Sequence, residues 1–230
     1  MTSPSYTPPP LTFADPESTW SSLAARYPTT GKWPVHFDGE REHRGRPWGA
    51  HDMWRGEERT PCETVREQFG LERRHDWSIQ EDDYCFECGV VSDRSGELVI
   101  GDESNDFSTL ATLVPDFRSG PLALVTVAEP ADCLAELGWS GAINAGMLGA
   151  DARVVLRSWQ TRFGAYVHSA WGGSLRMVVT RPPRTLHEAK MVAREHFHFC
   201  RYDSQFHGFG GVGPYVAGLV EKNQWGFWWD

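Results

Sequence analysis

The sequence predicts an α+β fold: a ferredoxin-like β-α-β-β-α-β arrangement in the C-terminal part, preceded by a smaller mixed α/β N-terminal part. Three observations predict it. Short apolar runs at residues 122–127, 166–171, 174–180 and 225–229 read as strands, the middle two forming a hairpin across Gly172-Gly173. Val155, Trp159 and Phe163 recur every four positions, the spacing of one helical face. Thr185-Leu186-His187-Glu188 is a capping box opening a second helix, with Leu186, Ala189, Ala193, Phe197 and Cys200 along one side. The expected organisation is a disordered tail at 1–10, an N-terminal mixed region at 11–118 and a C-terminal domain at 119–230.

Taken in order, residues 1–10 hold four prolines and little to bury, which predicts the tail. Asp15 and Pro16 read as an N-cap and first-turn proline for a helix carrying Trp20, Leu23 and Tyr27, stopped by Pro28. Residues 32–37 read as a strand. Residues 38–59 are dense in charge, with Trp48 and Trp54 embedded, and read as a long loop. Thr60-Pro61-Cys62-Glu63 starts a helix that Gly70 ends, and residues 84–91 and 97–100 form an expected strand pair. After the strand at 122–127 comes a helical turn over 131–137, then the helix that Gly164 caps. A glycine loop leads to a last helix at 214–220. In the terminal strand Trp225, Phe227 and Trp229 share one face, while Trp228 and Asp230 share the other.

Composition narrows the function. The chain has 230 residues, 40% hydrophobic and 23% charged, which excludes wholesale disorder. Its net charge of −9, from 31 acidic against 22 basic residues, argues against a general binder of nucleic acid or anionic lipid. No apolar run approaches the roughly 20 residues that cross a bilayer. Residues 1–10 lack the basic start and apolar stretch of a secretory signal, so a cytoplasmic location is expected. Five cysteines, an odd count, do not suggest a disulfide framework.

Several segments carry a resemblance. They are Gly138-Trp139-Ser140-Gly141-Ala142 followed by Asn144, Leu156-Arg157-Ser158-Trp159 leading to Arg162-Phe163-Gly164-Ala165, and Pro182-Pro183. Ala193-Arg194-Glu195-His196-Phe197 with Phe199-Cys200 and the ending Trp225-Gly226-Phe227-Trp228-Trp229-Asp230 complete the set. Over about residues 120–230 the chain resembles the bacterial family catalogued as domain of unknown function 4253, common in actinobacteria. A fainter echo lies at Thr30-Gly31-Lys32-Trp33-Pro34-Val35. The resemblance brings no assigned activity and no catalytic residues. Trp139 and Asn144 in the first motif, with Trp228, Trp229 and Asp230 in the last, are candidate binding residues.

Two clusters have the residue types of a metal site. His196, Cys200, Asp203 and His207 could ligate zinc, since His196 and Cys200 lie one helical turn apart while His198 points elsewhere. The bland alternative is a helix end with a buried cysteine and carbonyl-capping histidines. Cys85 and Cys88 form a C-x-x-C pair, half of a four-ligand site, to which Cys62 and His75 could add the rest. Gly208-Phe209-Gly210-Gly211-Val212-Gly213 matches a dinucleotide fingerprint literally, but the strand it requires is missing before it. Two functions follow. The first is a non-enzymatic protein- or ligand-binding module, for instance one that neutralises a basic toxin, supported by the acidic charge and eleven tryptophans. The second is a metal-assisted, hydrolase-like enzyme with zinc as its metal. There His196 or Asp203 would act as base or ligand and Arg157 would stabilise developing negative charge.

Overall fold

The computed structural model describes residues 11–37, 98–101, 106–113, 120–143, 147–200 and 212–229. Strands β1 (Thr12–Phe13), β2 (Lys32–Phe37), β3 (Leu122–Thr126), β4 (Ala165–Trp171), β5 (Ser174–Val179) and β6 (Gln224–Trp228) form one sheet. Its order is β1-β3-β2-β4-β5-β6. The helices are α1 (Trp20–Ala25), α2 (Tyr27–Thr30), α3 (Cys133–Leu137), α4 (Gly149–Phe163), α5 (Leu186–Phe199) and α6 (Val212–Leu219). Short 3-10 turns cover Phe107–Thr112 and Pro130–Asp132.

The architecture is mixed α/β, and the elements from β3 onward follow the expected order. Their pairing is not ferredoxin-like. That arrangement needs parallel strands on either side of each helical crossover. Here β2 is antiparallel to β3 and parallel to β4, so β3 and β4 run in opposite directions. Likewise β5 and β6 are direct antiparallel neighbours. The physical reason is the number of helices: α3 and α4 lie between β3 and β4, and α5 and α6 between β5 and β6. Two helices between two strands make an odd number of chain reversals, so the second strand returns antiparallel to the first. The second difference is β2, which comes from the N-terminal region and sits between β3 and β4, so one sheet takes strands from both sides of residue 119.

Every residue of β2 after Lys32 is buried, and so is every residue of β4 before Trp171. Strands covered on both faces need a layer on each side. One layer is α1 and the Phe107–Thr112 turn, where Trp20, Tyr27, Trp33, Phe107 and Tyr166 pack with ring centroids 5.3–6.3 Å apart. The other is α4 and α5, where Trp159, Phe163 and Phe199 meet Trp225 and Phe227 at 5.2–5.6 Å. Tyr166 pairs with Val178, whereas Val167 pairs with Met177 and through it with Trp225, so the two aromatic groups stand on opposite faces. Trp33 ties the layers to the sheet: its Nε1 donates to Val167 O at 2.9 Å.

Local details also depart from expectation. The cap of α1 is Thr19, whose side chain accepts from Ser22 N, while Asp15 closes a turn on Glu17 N. Leu98 to Ile100 forms no strand; Ile100 N instead bonds Arg162 O. Leu186 does not line the core face of α5 but is 59% exposed, because it is the first residue after the Thr185 cap. The Thr185–Glu188 capping box itself is present, as is the left-handed Gly164 cap of α4. The expected loop at 38–59, helix at 60–70 and strand at 84–91 lie outside the described residues, as does the tail at 1–10.

Trp33→Ala should lower unfolding free energy by about 3–5 kcal/mol, the cost of emptying a large buried aromatic site. Urea unfolding checks this, and a loss below about 1 kcal/mol would contradict a central, doubly covered β2.

Candidate functional site

The motif residues from distant parts of the chain converge on the β4–β5 turn. Trp139, just after the left-handed Gly138 that ends α3, donates from Nε1 to Gly172 O at 3.1 Å. Its ring packs edge-on against Trp229, centroids 5.5 Å apart. Trp229 N in turn donates to Gly173 O at 2.8 Å. The approach is tight enough to require glycine: a Cβ on Gly141 would stand 1.8 Å from Gly172 O, and one on Gly173 would stand 2.0 Å from Trp229 O. Three chain segments thus share backbone contact at one turn.

Around this turn two tryptophans stay partly exposed. Of the eight tryptophans among the described residues, six are buried and two are not: Trp171 is 39% exposed and Trp228 42%. Both pair with Ser174, so the three residues form one row across β4, β5 and β6 and point to the same face. The strands carrying the two rings are about 10 Å apart, twice the usual interstrand spacing. Ile143, 50% exposed, stands two residues beyond Gly141 and therefore beside the same turn. In the next row Arg176 lies over Gly226. A register shift between Val167 and Ser169 puts Trp171 there. Strict alternation from Tyr166 would send Trp171 to the opposite face, that of Phe227; the bulge at His168 returns it to the open side.

The other candidates occupy quite different places. His196 is fully buried, its ring 4.4 Å from Trp225, 4.9 Å from Phe227 and 5.1 Å from Trp159. Its Nδ1 bonds the Tyr215 hydroxyl at 2.8 Å, while Nε2 has no partner among the described residues. Burial pushes its pKa down to about 3, so the imidazole is neutral. Cys200 is buried at the end of α5, and its Sγ donates to Trp228 O at 3.2 Å. Arg157 forms a two-pronged pair with Asp132, Nε–Oδ1 2.8 Å and Nη2–Oδ2 2.7 Å, which raises its pKa. Trp229 and Trp139 are core residues, and Trp228 is the exposed one. Asn144, Asp203, His207, Asp230, Cys62, His75, Cys85 and Cys88 lie outside the described residues, as does the side chain of His198. Among the described residues no group of three or more His, Cys, Asp or Glu is placed to hold a metal.

Sequence reasoning passed over two features. One is the pair Trp171 and Ile143, whose exposure depends on the bulge and on a loop contact rather than on periodicity. The other is the buried ion pair of Arg162 and Glu195, which sit within quoted motifs. Arg162 Nη1 and Nη2 reach Glu195 at 2.8 and 2.5 Å, both residues under a tenth exposed. Glu195 Oε2 also accepts from Trp159 Nε1 at 2.7 Å, and Arg162 donates to Ser158 Oγ and Leu98 O. A buried charge pair this fully bonded joins α4 to α5. His36 and His168 form a further imidazole contact, centroids 4.8 Å apart beside Trp20. Desolvation pushes His168 down to about 3, aided by His36, and lowers His36 as well.

The six-stranded mixed sheet holds Trp139, Trp228 and Trp229 at one turn and packs Trp159 against Trp225 in the core. Residues 121–230 match the family described as domain of unknown function (DUF4253). No curated protein and no solved structure matches the chain. Among the described residues no helix is long and apolar enough to cross a membrane.

Two predictions follow from the buried ionisable groups. Glu195→Gln leaves Arg162 charged and uncompensated and should cost about 3–5 kcal/mol of stability; pairing it with Arg162→Met should recover most of that loss, as read by urea unfolding. Acid should weaken the fold through His196 and His168. Each takes up a proton near pH 6.5 when unfolded but only near 3 when folded. The unfolded state therefore binds more protons in that interval, and stability should fall as pH drops from about 6.5 toward 3. His168→Gln should flatten that slope in a pH series of melting curves.

Proposed function

We propose that the protein is a non-enzymatic binding module that works in the cytoplasm. The observation that supports this reading is the set of Ile143, Trp171 and Trp228, half-exposed around a turn braced by three chain segments. Large aromatic side chains held rigidly at a surface are the usual anchors of protein contacts. Two of the residues considered for the enzyme have structural partners: Arg157 is paired with Asp132, and Cys200 donates to a backbone carbonyl. A metal-assisted, hydrolase-like enzyme is the second reading, favoured by one observation, the Nε2 of buried His196, which has no partner among the described residues.

Protein purified without chelator or metal-affinity tag distinguishes the two readings. The binding reading expects no stoichiometric transition metal, together with retention of a cellular protein that the double variant Trp171→Ala, Trp228→Ala fails to retain at unchanged melting temperature. About one metal ion per chain, lost on replacing His196 or Cys200, would favour the enzyme.

A further inference from the structure

We infer that the paired imidazoles of His36 and His168 form a proton-sensitive latch on the exposed Trp171 ring: neutral, the pair holds the ring in place, and charged, it releases it. As regulation of the contact surface this rests on the binding reading, whereas the coupling of Trp171 to the pair stands without it. Two supports fix Trp171. One is the register shift at His168, which turns the Trp171 side chain to the open face. The other is Gly120, against which the ring lies so closely that a Cβ there would stand 2.0 Å from it. The histidines join these two supports. The His168 and His36 rings lie 4.8 Å apart, centroid to centroid, and His36 Nδ1 is 2.7 Å from Gly120 O. A carbonyl only accepts, so His36 Nδ1 carries the hydrogen and Nε2 is the nitrogen left to take a further proton.

The setting makes that further proton disruptive. Both histidines are buried, and Trp20 closes over His168 with ring centroids 5.1 Å apart. Among the described residues no carboxylate acts on either ring, and His36 is the one ionisable group that acts on His168. α1, the Phe107–Thr112 turn and β3 carry no ionisable side chain. β2 adds Lys32 at its far end, and β5 sets Arg176 opposite Ser169. β4 adds Tyr166, whose hydroxyl stays neutral because burial pushes its pKa up to about 12. α4, also against β4, engages Arg157 with Asp132 and Arg162 with Glu195. Burial holds both imidazoles below their ordinary range, so the pair is neutral at neutral pH. Acid loads His36 first, because the Gly120 carbonyl favours its charge. The charged ring grips Gly120 more tightly and is drawn toward water, and a second charge on His168 repels it. Each of these movements shifts the backing of Trp171.

The test follows the indole N–H resonances of the isotope-labelled full chain from about pH 7.5 to about 4.5, across the ordinary imidazole range. Single Trp→Phe variants assign the signals of Trp171, Trp159 and Trp225, the last two reporting whether the core is intact. We expect the Trp171 signal to shift in one step centred below the ordinary imidazole value of about 6.5, while those of Trp159 and Trp225 stay still. His36→Asn keeps an amide hydrogen for Gly120 O but cannot charge, so in that variant Trp171 should hold its neutral-pH position throughout. His36→Phe has no donor and should displace the Trp171 signal already at neutral pH. A Trp171 signal indifferent to pH, a shift that persists in His36→Asn, or an unmoved signal in His36→Phe overturns the latch. Core indoles that move together with Trp171 also overturn it, since the change is then unfolding. No partner takes part in this experiment, so the latch can fail while the binding reading, tested by retention and metal content, stands.

Discussion

The rest of the structure depends on β2 being buried on both faces at the centre of the sheet. Lys32 to Phe37 carries one charged residue at its start and none thereafter, and each residue from Trp33 onward is under a tenth exposed. A strand so placed cannot lie at an edge, and it cannot leave either face of the sheet open beside it. α1 and the Phe107–Thr112 turn therefore supply one cover, with Trp20 donating to Pro34 O at 2.9 Å. α4 and α5 supply the other. The two aromatic groups are the filling that these two covers require, and the density of tryptophan follows from the need to fill both.

The division of polar labour follows from the same burial. Between α4 and α5 the gap is spanned by Arg162 and Glu195, an ion pair whose remaining valences are taken by Trp159, Ser158 and Leu98. At the outer end of α4, Arg157 and Asp132 hold the start of α3, while Gln160 accepts from Ala131 N and donates to Glu129. Charged and amide side chains thus organise the interior, whereas apolar ones stand at the surface of the β4–β5 turn. Among the described residues six tryptophans fill the interior, and only Trp171 and Trp228 stand half-exposed at that turn.

Much of the local structure was legible in the residues. The four C-terminal strands, the helix ended by Gly164, the capping box at Thr185 and the split of Trp225, Phe227 and Trp229 from Trp228 all follow from short-range chemistry and periodicity. Strand partnership did not follow. Pairing is a long-range choice that no local pattern encodes, although the near-continuous apolar run of β2 was a sign of a strand buried on both faces. The faint motif echo at Thr30 to Val35 fell on that strand. The candidate site was legible only in part. Trp228 followed from alternation, but Trp171 needed the bulge at His168, whose register shift has no signature in residue type. His196 and Cys200 have the chemistry of ligands in one dimension, and aromatic neighbours brought from β6 give them a buried, neutral setting in three.

The position of β2 also governs how the molecule can assemble. Trp33 finds its hydrogen-bond acceptor 134 residues further along, and Ser21 bonds Leu113 O across 92. Closing loops of such length costs entropy before any contact repays it, and folds dominated by distant pairings form slowly. The hairpin of β4 and β5, adjacent in the chain, can zip early. The slot between β3 and β4 then exposes two strand edges until β2 enters it, and unpaired edges are where chains join one another. The matched family region contains both walls of that slot and not the strand that fills it. Residues 121–230 expressed alone would be a sheet with a gap at its middle, so the hazard of that fragment is aggregation through its centre rather than its rim.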